Sequence, residues 1–186
     1  MRPQPDARYN ARIHRNMTAE ELLRTHIEDK QPSANLEHLL DSATERQVLY
    51  RLIAKEPPRL YRKLLLRLLD KEISFRMALW EGSIAGDEES AEGVFHCAYL
   101  LSRCGEPADA REIWKAQYLN QDVGELEVGY FIGAGAPETL AFLASASDET
   151  AQEVAEYIRS SLNHPNAGEW LTDWEASRHA ALASNI

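Results

Sequence analysis

Residues 94–110 read VFHCAYLLSRCGEPADA and carry the two strongest fold signals in this 186-residue chain. Residues 94–101 are apolar almost all round a helix, which predicts a central helix packed on several sides. Gly105-Glu106-Pro107 then predicts a tight turn into a second helix, because glycine tolerates a left-handed helix end and proline suits the first turn of a helix. His96, inside the apolar run, is expected to be a core side chain with a hydrogen-bond partner. The stretch therefore predicts a helical protein.

The same turn signal returns 30 residues later, where Gly135-Ala136-Pro137 repeats the pattern of Gly105-Glu106-Pro107. We expect an apolar helix before each turn, and in the second copy that helix would contain Tyr130 and Phe131. A period near 30 residues is typical of stacked helical hairpins. The predicted fold class is all-α, either stacked antiparallel helical hairpins of the α-solenoid type or an irregular helical bundle.

The first copy resembles the tetratricopeptide repeat. The residues at that family's small, apolar, glycine, alanine and aromatic positions are Ala98, Leu101, Gly105, Ala110 and Trp114. The chain departs from the family at Val94, where tryptophan is common, and at Gln117 and Leu140, where alanine is common. The resemblance covers roughly residues 90–146. It implies helical hairpins and a role in binding other proteins.

Helices are also predicted before this region. Thr18 and Glu21 form a capping-box pattern, in which each side chain accepts a hydrogen bond from the other residue's backbone, and this pattern begins a helix. Residues 59–71 predict a helix with an apolar arc and one basic side. A further helix is expected after it, followed by a loop at 82–90.

The C-terminal part is predicted to contain two more helices. Ser147-Asp148-Glu149 begins the first, and Asn163-His164-Pro165-Asn166 ends it. The last helix, from about residue 169, is expected to pack back onto the others. For the whole chain we expect a flexible basic arm at 1–17 and a single all-helical domain at 18–186.

Charge is divided unevenly along the chain. Residues 1–80 contain 15 Lys/Arg and 11 Asp/Glu, a net charge of +4. Residues 81–186 contain 5 Lys/Arg and 19 Asp/Glu, a net charge of −14, which brings the chain to −10. An acid excess of this size favours solubility and attracts basic partners. The sequence therefore indicates an acidic binding surface in the C-terminal part.

Membrane and secreted classes are not indicated. No run of about 18 apolar residues is available to span a membrane, and the polar, arginine-containing N-terminus is not a secretory signal. Cys97 and Cys104 lie seven residues apart on one predicted helix, roughly 10 Å, which excludes a disulfide between them. Free thiols fit a reducing compartment, so a cytoplasmic location is expected.

The sequence contains no catalytic, metal-binding or phosphate-binding motif, and its six histidines are scattered. We therefore expect neither enzymatic activity nor a cofactor. An enzyme stays open as an alternative, because Glu37 and His38, or Asp122, Glu125 and Glu127, have the residue types of an acid–base or metal site. Solvated helix faces explain these residues more simply.

Nucleic-acid binding has one argument in its favour, the basic side of the 59–71 helix. This basic stripe consists of Arg59, Arg62, Lys63, Arg67 and Lys71. The net charge of −10 and the pI of about 5.1 oppose the argument, because binding to phosphates needs a basic surface. Asp70 and Glu72 are interpreted as parts of the same exposed, solvated face. A nucleic-acid ligand is therefore not expected.

The size, acidity and helical character of the chain, with its lack of catalytic motifs, resemble the immunity proteins of bacterial polymorphic toxin systems. Such proteins sit on a toxin domain and block its active site, so the resemblance implies a basic toxin domain as partner. An acidic surface associates quickly with a basic cleft through charge complementarity. The predicted partner-binding residues are Asp87, Glu88, Glu89 and Glu92 before the central helix, and Asp122, Glu125 and Glu127 at the start of the second repeat.

A second interpretation is an adaptor that binds a peptide in a groove between helical repeats. Its groove anchors would be Tyr99, Trp114, Tyr118 or Tyr130. An inhibitor predicts tight, salt-sensitive binding to one basic protein, whereas an adaptor predicts modest affinity that is lost when an aromatic anchor is truncated.

Overall fold

The computed structural model of the chain describes residues 18–21, 23–24, 39–86, 88–146 and 148–183, apart from the side chains at 88 and 89. Within these ranges every regular element is a helix, and no strand occurs. The predicted all-α fold class is therefore confirmed. The predictions that concern Glu37, His38, Asp87 and the 1–17 arm fall outside the described residues.

The predicted helix starts are seen as hydrogen bonds at the chain's capping residues. Thr18 N–H donates to Glu21 Oε2 at 3.0 Å, and Glu21 N–H donates to Thr18 Oγ1 at 3.2 Å. Asp148 Oδ1 accepts from Ala151 N–H at 3.0 Å. The elements that follow residue 39 are α1 (Ala43–Ile53), a 3₁₀ turn (Pro58–Tyr61), α2 (Arg62–Trp80), α3 (Glu88–Ala91), α4 (Gly93–Ser102), α5 (Asp109–Trp114), a second 3₁₀ turn (Val128–Phe131), α6 (Ala136–Ala146), α7 (Glu149–Leu162) and α8 (Ala167–Ala183).

Helix α4 is the centre of the fold, as its apolar sequence predicts. Nine of its ten residues are buried, and only Phe95 is partly exposed. The helix contacts α1, α2, α5, α8 and the 3₁₀ turn at Val128–Phe131. Because it has neighbours on all sides, a polar residue on any face of α4 would need a partner from another helix.

Both predicted glycine turns have the backbone conformation that glycine favours. Gly105 has φ +72° and Gly135 has φ +99°, and helices α5 and α6 follow them. The apolar helix expected before the second turn is wrong, because Val128–Phe131 is a single 3₁₀ turn. The chain then passes directly against α4 at Gly133, where an added Cβ would be 1.9 Å from Ser102 O, before it turns at Gly135.

Helix α2 is one uninterrupted helix of 19 residues, so the predicted break after residue 71 is wrong. Glu72 was placed on an exposed face by the sequence analysis, but its side chain is fully buried. The reason is helical periodicity: Glu72 and Arg76 continue the stripe of Leu65 and Leu68 at intervals of three and four residues. This stripe faces α4, and the carboxylate of Glu72 must therefore be neutralised inside the protein.

The neutralising partner of Glu72 is Arg46 of α1, which is also buried. Arg46 Nε donates to Glu72 Oε1 at 2.7 Å and Arg46 Nη2 to Oε2 at 3.2 Å, while Tyr50 Oη donates to Oε1 at 2.7 Å. Burial lowers the pKa of the Arg46 guanidinium and Glu72 raises it, and the net shift is upward, so the guanidinium stays protonated. Room for the carboxylate exists because position 93 is glycine: a Cβ there would lie 2.4 Å from Glu72 Oε1.

His96 and Cys97 are core residues, as predicted, whereas Cys104 is only half-buried. His96 Nδ1 lies 2.9 Å from Gln47 Oε1, a hydrogen bond between α4 and α1. Cys97 is buried, its thiol donates to Leu65 O at 3.3 Å, and burial raises its pKa well above the ordinary value. Cys97 and Cys104 are both free. His96 and Cys97 therefore connect α1, α2 and α4 and do not face solvent.

Candidate protein-binding surface

An ordered loop without regular secondary structure connects α5 to the second 3₁₀ turn, and it contains three of the predicted partner-binding residues. We call residues 118–127 the acidic loop. Asn120 shapes its first half: its Oδ1 accepts from Asp122 N–H at 3.1 Å and from Val123 N–H at 3.0 Å, and its Nδ2 donates to Arg76 O at 3.4 Å. One side chain thus makes the turn and attaches it to α2.

The second half of the acidic loop is held by Gln117, in the turn after α5, and by Tyr157 of α7. Leu126 N–H donates to Gln117 Oε1 at 2.8 Å, and Leu126 O accepts from Tyr157 Oη of α7 at 2.5 Å. The side chains of Val123 and Leu126 are buried below the loop. Because its backbone is bonded and two apolar residues anchor it, the loop presents its remaining side chains in a fixed arrangement.

Tyr118, the first residue of the acidic loop, combines a left-handed backbone conformation with an exposed side chain. Its φ is +55°, the only positive value for a non-glycine residue in the described part of the chain, and its side chain is 61% exposed. The left-handed conformation costs a residue with a Cβ about 1–2 kcal/mol, and the exposed ring recovers none of that cost by burial in the core. Backbone strain together with an exposed aromatic side chain is typical of binding sites.

Two carboxylates lie on the same loop as Tyr118. Asp122 and Glu125 are exposed, and neither takes part in an ion pair with another described residue. Burial raises the pKa of Tyr157, and Glu125 and then Tyr118 raise it further, so both lie near that phenol. Tyr118 and Glu125 therefore lie close together, and we call these two residues and the exposed Asp122 of the same loop the Tyr118 patch.

The other predicted partner-binding residues lie in different surroundings. Glu127 Oε1 accepts from Arg178 Nη2 of α8 at 3.0 Å, so its charge is used inside the fold. Glu92 is exposed and near Tyr130, whose pKa is raised by burial, lowered by Arg178, and raised by Glu127 and Glu92. Helix α3 contains Glu88 and Glu89, but their side chains are outside the described residues.

Most of the basic residues in the acidic part of the chain are held in ion pairs. Four of the five basic residues of 81–186 are paired among the described residues. These pairs are Arg103–Glu175, Arg111–Asp148, Lys115–Glu112 and Arg178–Glu127. The carboxylates of the Tyr118 patch therefore keep their negative potential toward solvent.

The basic stripe on α2 is partly neutralised by the fold. Arg62 binds Asp109 with an Nη2–Oδ1 distance of 2.7 Å, and Lys71 binds Asp41 with an Nζ–Oδ1 distance of 2.5 Å. Ion-paired cations release fewer counterions on contact with a phosphate backbone. The geometry thus gives no support to a nucleic-acid surface on this helix.

The aromatic residues considered as groove anchors are mainly packed inside the protein. Tyr130 is fully buried and Tyr99 nearly so. Trp114 packs against Phe131 at 5.4 Å and Tyr157 at 5.5 Å between ring centroids. Tyr118 is the exposed member of the set. A partner would therefore meet Tyr118 first.

Among the described residues, no group of three or more His, Cys, Asp or Glu residues is arranged to hold a metal ion. In the same part of the chain, no helix has the length and apolar character needed to cross a membrane. Comparison with models of protein families, with curated proteins and with solved structures found no match to this chain.

Proposed function

We propose that this chain is an acidic protein-binding module that acts as an immunity protein: it binds a basic toxin domain through the Tyr118 patch and occludes the toxin's active site. The observation that carries the proposal is the strained, exposed Tyr118 on the same ordered loop as the exposed carboxylates Asp122 and Glu125. The resemblance in size, charge and helical character to immunity proteins supports the kind of partner.

The physical argument for binding has three parts. The acidic loop is already fixed by Asn120, Gln117 and Tyr157, so little ordering entropy is lost on association. Tyrosine supplies a large, rigid contact surface that often dominates interface energy. Unpaired carboxylates steer a basic partner toward the loop and raise the association rate. Together they favour fast binding to a basic cleft.

The argument for inhibition follows from the chemistry of the partner. Enzymes that cleave nucleic acids or nucleotides use basic clefts to hold phosphates. A rigid acidic loop that enters such a cleft competes with the substrate for the same cations. Glu92, which is exposed near Tyr130, adds negative charge from the N-terminal end of α4. The protein then acts by occupying the cleft and needs no chemistry of its own.

The test is affinity capture from the native cell lysate at 50 mM and 300 mM salt, with bound proteins identified by mass spectrometry. We compare the wild type with Glu125→Lys and with Glu56→Lys. Glu56 is exposed in the turn after α1, so its variant changes the net charge equally but leaves the Tyr118 patch intact.

The proposal expects one basic protein in stoichiometric amount, lost at high salt and lost with Glu125→Lys but not with Glu56→Lys. The purified partner's enzymatic activity should then fall to background on addition of one equivalent of the chain. A partner that stays active when bound would refute inhibition. A partner lost with Tyr118→Ala but kept with Glu125→Lys and at high salt would favour the adaptor interpretation instead.

A further inference from the structure

Helix α8 is attached to the protein through a narrow inner face. Of its 17 residues, only Ala167 and Leu182 are buried. Trp174 and Arg178 are half-buried and stand two turns and one turn before Leu182, respectively, so the three side chains form one stripe. The remaining surface of α8 is largely solvated. Its attachment therefore depends on what this stripe contacts.

Trp174 contacts aromatic rings from two segments. Its ring packs edge-on against Tyr130 at 4.9 Å and against Tyr99 of α4 at 5.9 Å between centroids. It also lies directly on Gly129, where an added Cβ would be 2.4 Å from the indole. The surface that receives α8, called the α8 groove here, consists of Phe95, Tyr99, Glu127, Gly129 and Tyr130.

Arg178 is bound in the α8 groove by two kinds of contact. Its guanidinium carbon lies 5.5 Å from the centre of the Tyr130 ring and 5.6 Å from that of Phe95. Its Nη2 donates to Glu127 Oε1 at 3.0 Å. Aromatic faces and a carboxylate together recognise an arginine specifically. The groove thus selects a helix that carries an arginine one turn after a tryptophan.

The attachment of α8 is incomplete in its hydrogen bonding. Among the described residues, Tyr130 Oη, Trp174 Nε1 and Arg178 Nε are buried in this contact and have no hydrogen-bond partner. Each such atom loses hydration without compensation. The bound state of α8 is therefore less favourable than its aromatic contacts alone suggest.

Two cavities border α8 as well. One, of about 530 Å³, lies at the connector between α7 and α8, beside His164 and Trp170. The other, of about 400 Å³, lies along the seam between α4 and α8, beside Arg103 and His179. Both are open to solvent, so α8 makes few contacts with the rest of the protein at these two places, and segments with few buried contacts detach at low cost in free energy.

We propose that the α8 groove also binds α8 of a second copy of this chain, so that two copies exchange their last helices and form a dimer. Each copy carries both the Trp174–Arg178 stripe and the groove with Glu127, so the exchanged contacts are the same as those within one chain. Residues 163–166 are a short connector that contains Pro165, and short connectors favour exchange over return to the same chain. The proposal goes beyond the proposed function and needs no other partner.

A pair of charge-reversed variants tests the exchange. Glu127→Arg places an arginine against Arg178, and Arg178→Glu places two glutamates together, so α8 of each variant is repelled by its own groove. In a mixture, each groove meets an opposite charge only when the helices are exchanged. The control is the double variant Glu127→Arg/Arg178→Glu, which restores attraction within one chain.

Light scattering after size-exclusion chromatography gives the masses. At 0.5 mM we expect each single variant at the 21.1 kDa of one chain, and the wild type, the double variant and an equimolar mixture of the single variants at twice that mass. A mixture that stays at the mass of one chain at 0.5 mM, although both variants keep their far-UV helical signal, would overturn the proposal.

A second measurement covers the case in which a charge-reversed variant does not fold. Arg103 and Glu175 form an exposed ion pair between the end of α4 and α8, so Arg103→Cys/Glu175→Cys places two accessible thiols across the contact. A short bismaleimide is added to protein incubated near 1 mM. A short connector holds α8 near its own groove at an effective concentration in about this range, so a second copy can compete for the groove. Covalent dimers on denaturing gels support exchange, and exclusively intrachain product refutes it.

Discussion

Replacing Glu72 by glutamine should be among the most destabilising conservative changes in this protein. Glu72 is fully buried and accepts two hydrogen bonds from Arg46 and one from Tyr50. Glutamine keeps the shape but removes the charge, and its amide group then faces the guanidinium of Arg46, donor against donor. A buried cation without its counter-charge costs about 3–5 kcal/mol, a large share of the roughly 5–15 kcal/mol that a domain of this kind possesses.

The assay is urea unfolding at pH 7 followed by circular dichroism. The matched control is Glu112→Gln, which breaks the exposed Lys115–Glu112 pair and should cost less than about 1 kcal/mol. A second control is the triple variant Arg46→Met/Tyr50→Phe/Glu72→Leu. Because it removes the charges and the donor together, it should recover most of the loss.

The reasoning would be refuted if Glu72→Gln cost no more than Glu112→Gln. It would also be refuted if the triple variant were less stable than Glu72→Gln, because the penalty would then come from lost packing and not from an uncompensated charge. The comparison separates the net contribution of the buried ion pair to stability from the cost of leaving Arg46 buried without its counter-charge.

Three further predictions concern single positions. Gly93→Ala should lower stability by about 1–3 kcal/mol in thermal unfolding, because its Cβ would be 2.4 Å from Glu72, whereas Gly168→Ala, with no atom within 4 Å, should be neutral or stabilising. Tyr118→Gly should leave stability unchanged or raise it by up to about 1 kcal/mol, because it relieves the left-handed strain. The same variant should weaken partner binding at least about tenfold in titration calorimetry, and unchanged binding would exclude the ring from the interface. Burial raises the pKa of Cys104 to about 12, so this thiol should stay protonated at pH 8 and react with iodoacetamide far more slowly in the native than in the urea-unfolded protein; equal rates by mass spectrometry would contradict its burial.

The features of the fold that were predictable from sequence are those with local causes. The apolar run of 94–101 and the left-handed turns at Gly105 and Gly135 each depend on a few neighbouring residues. The burial of Glu72 depends on Arg46, which is 26 positions away and on another helix. A reader of the sequence could have noticed that Glu72 continues the apolar stripe of α2, but not which cation would meet it.

The same distinction applies to the candidate surface. Asp122 and Glu125 are predicted from charge, and in the structure both are exposed on the acidic loop that begins at Tyr118. Glu127 belongs to the same acidic run, but its charge is used by Arg178, 51 positions away. The sequence offers one indication that this face of the last helix packs against the protein, because Trp174 and Arg178 are four residues apart and therefore lie on one helix face.

Gly93 and Glu72 place a joint constraint on how this protein can change over evolutionary time. The carboxylate occupies the space that any larger residue at 93 would need. A side chain at position 93 therefore lowers stability as long as position 72 keeps its carboxylate, and loss of that carboxylate lowers stability as long as Arg46 remains. We expect related sequences that carry a side chain at position 93 to have replaced Glu72 and Arg46 as well, because each of these changes alone is destabilising.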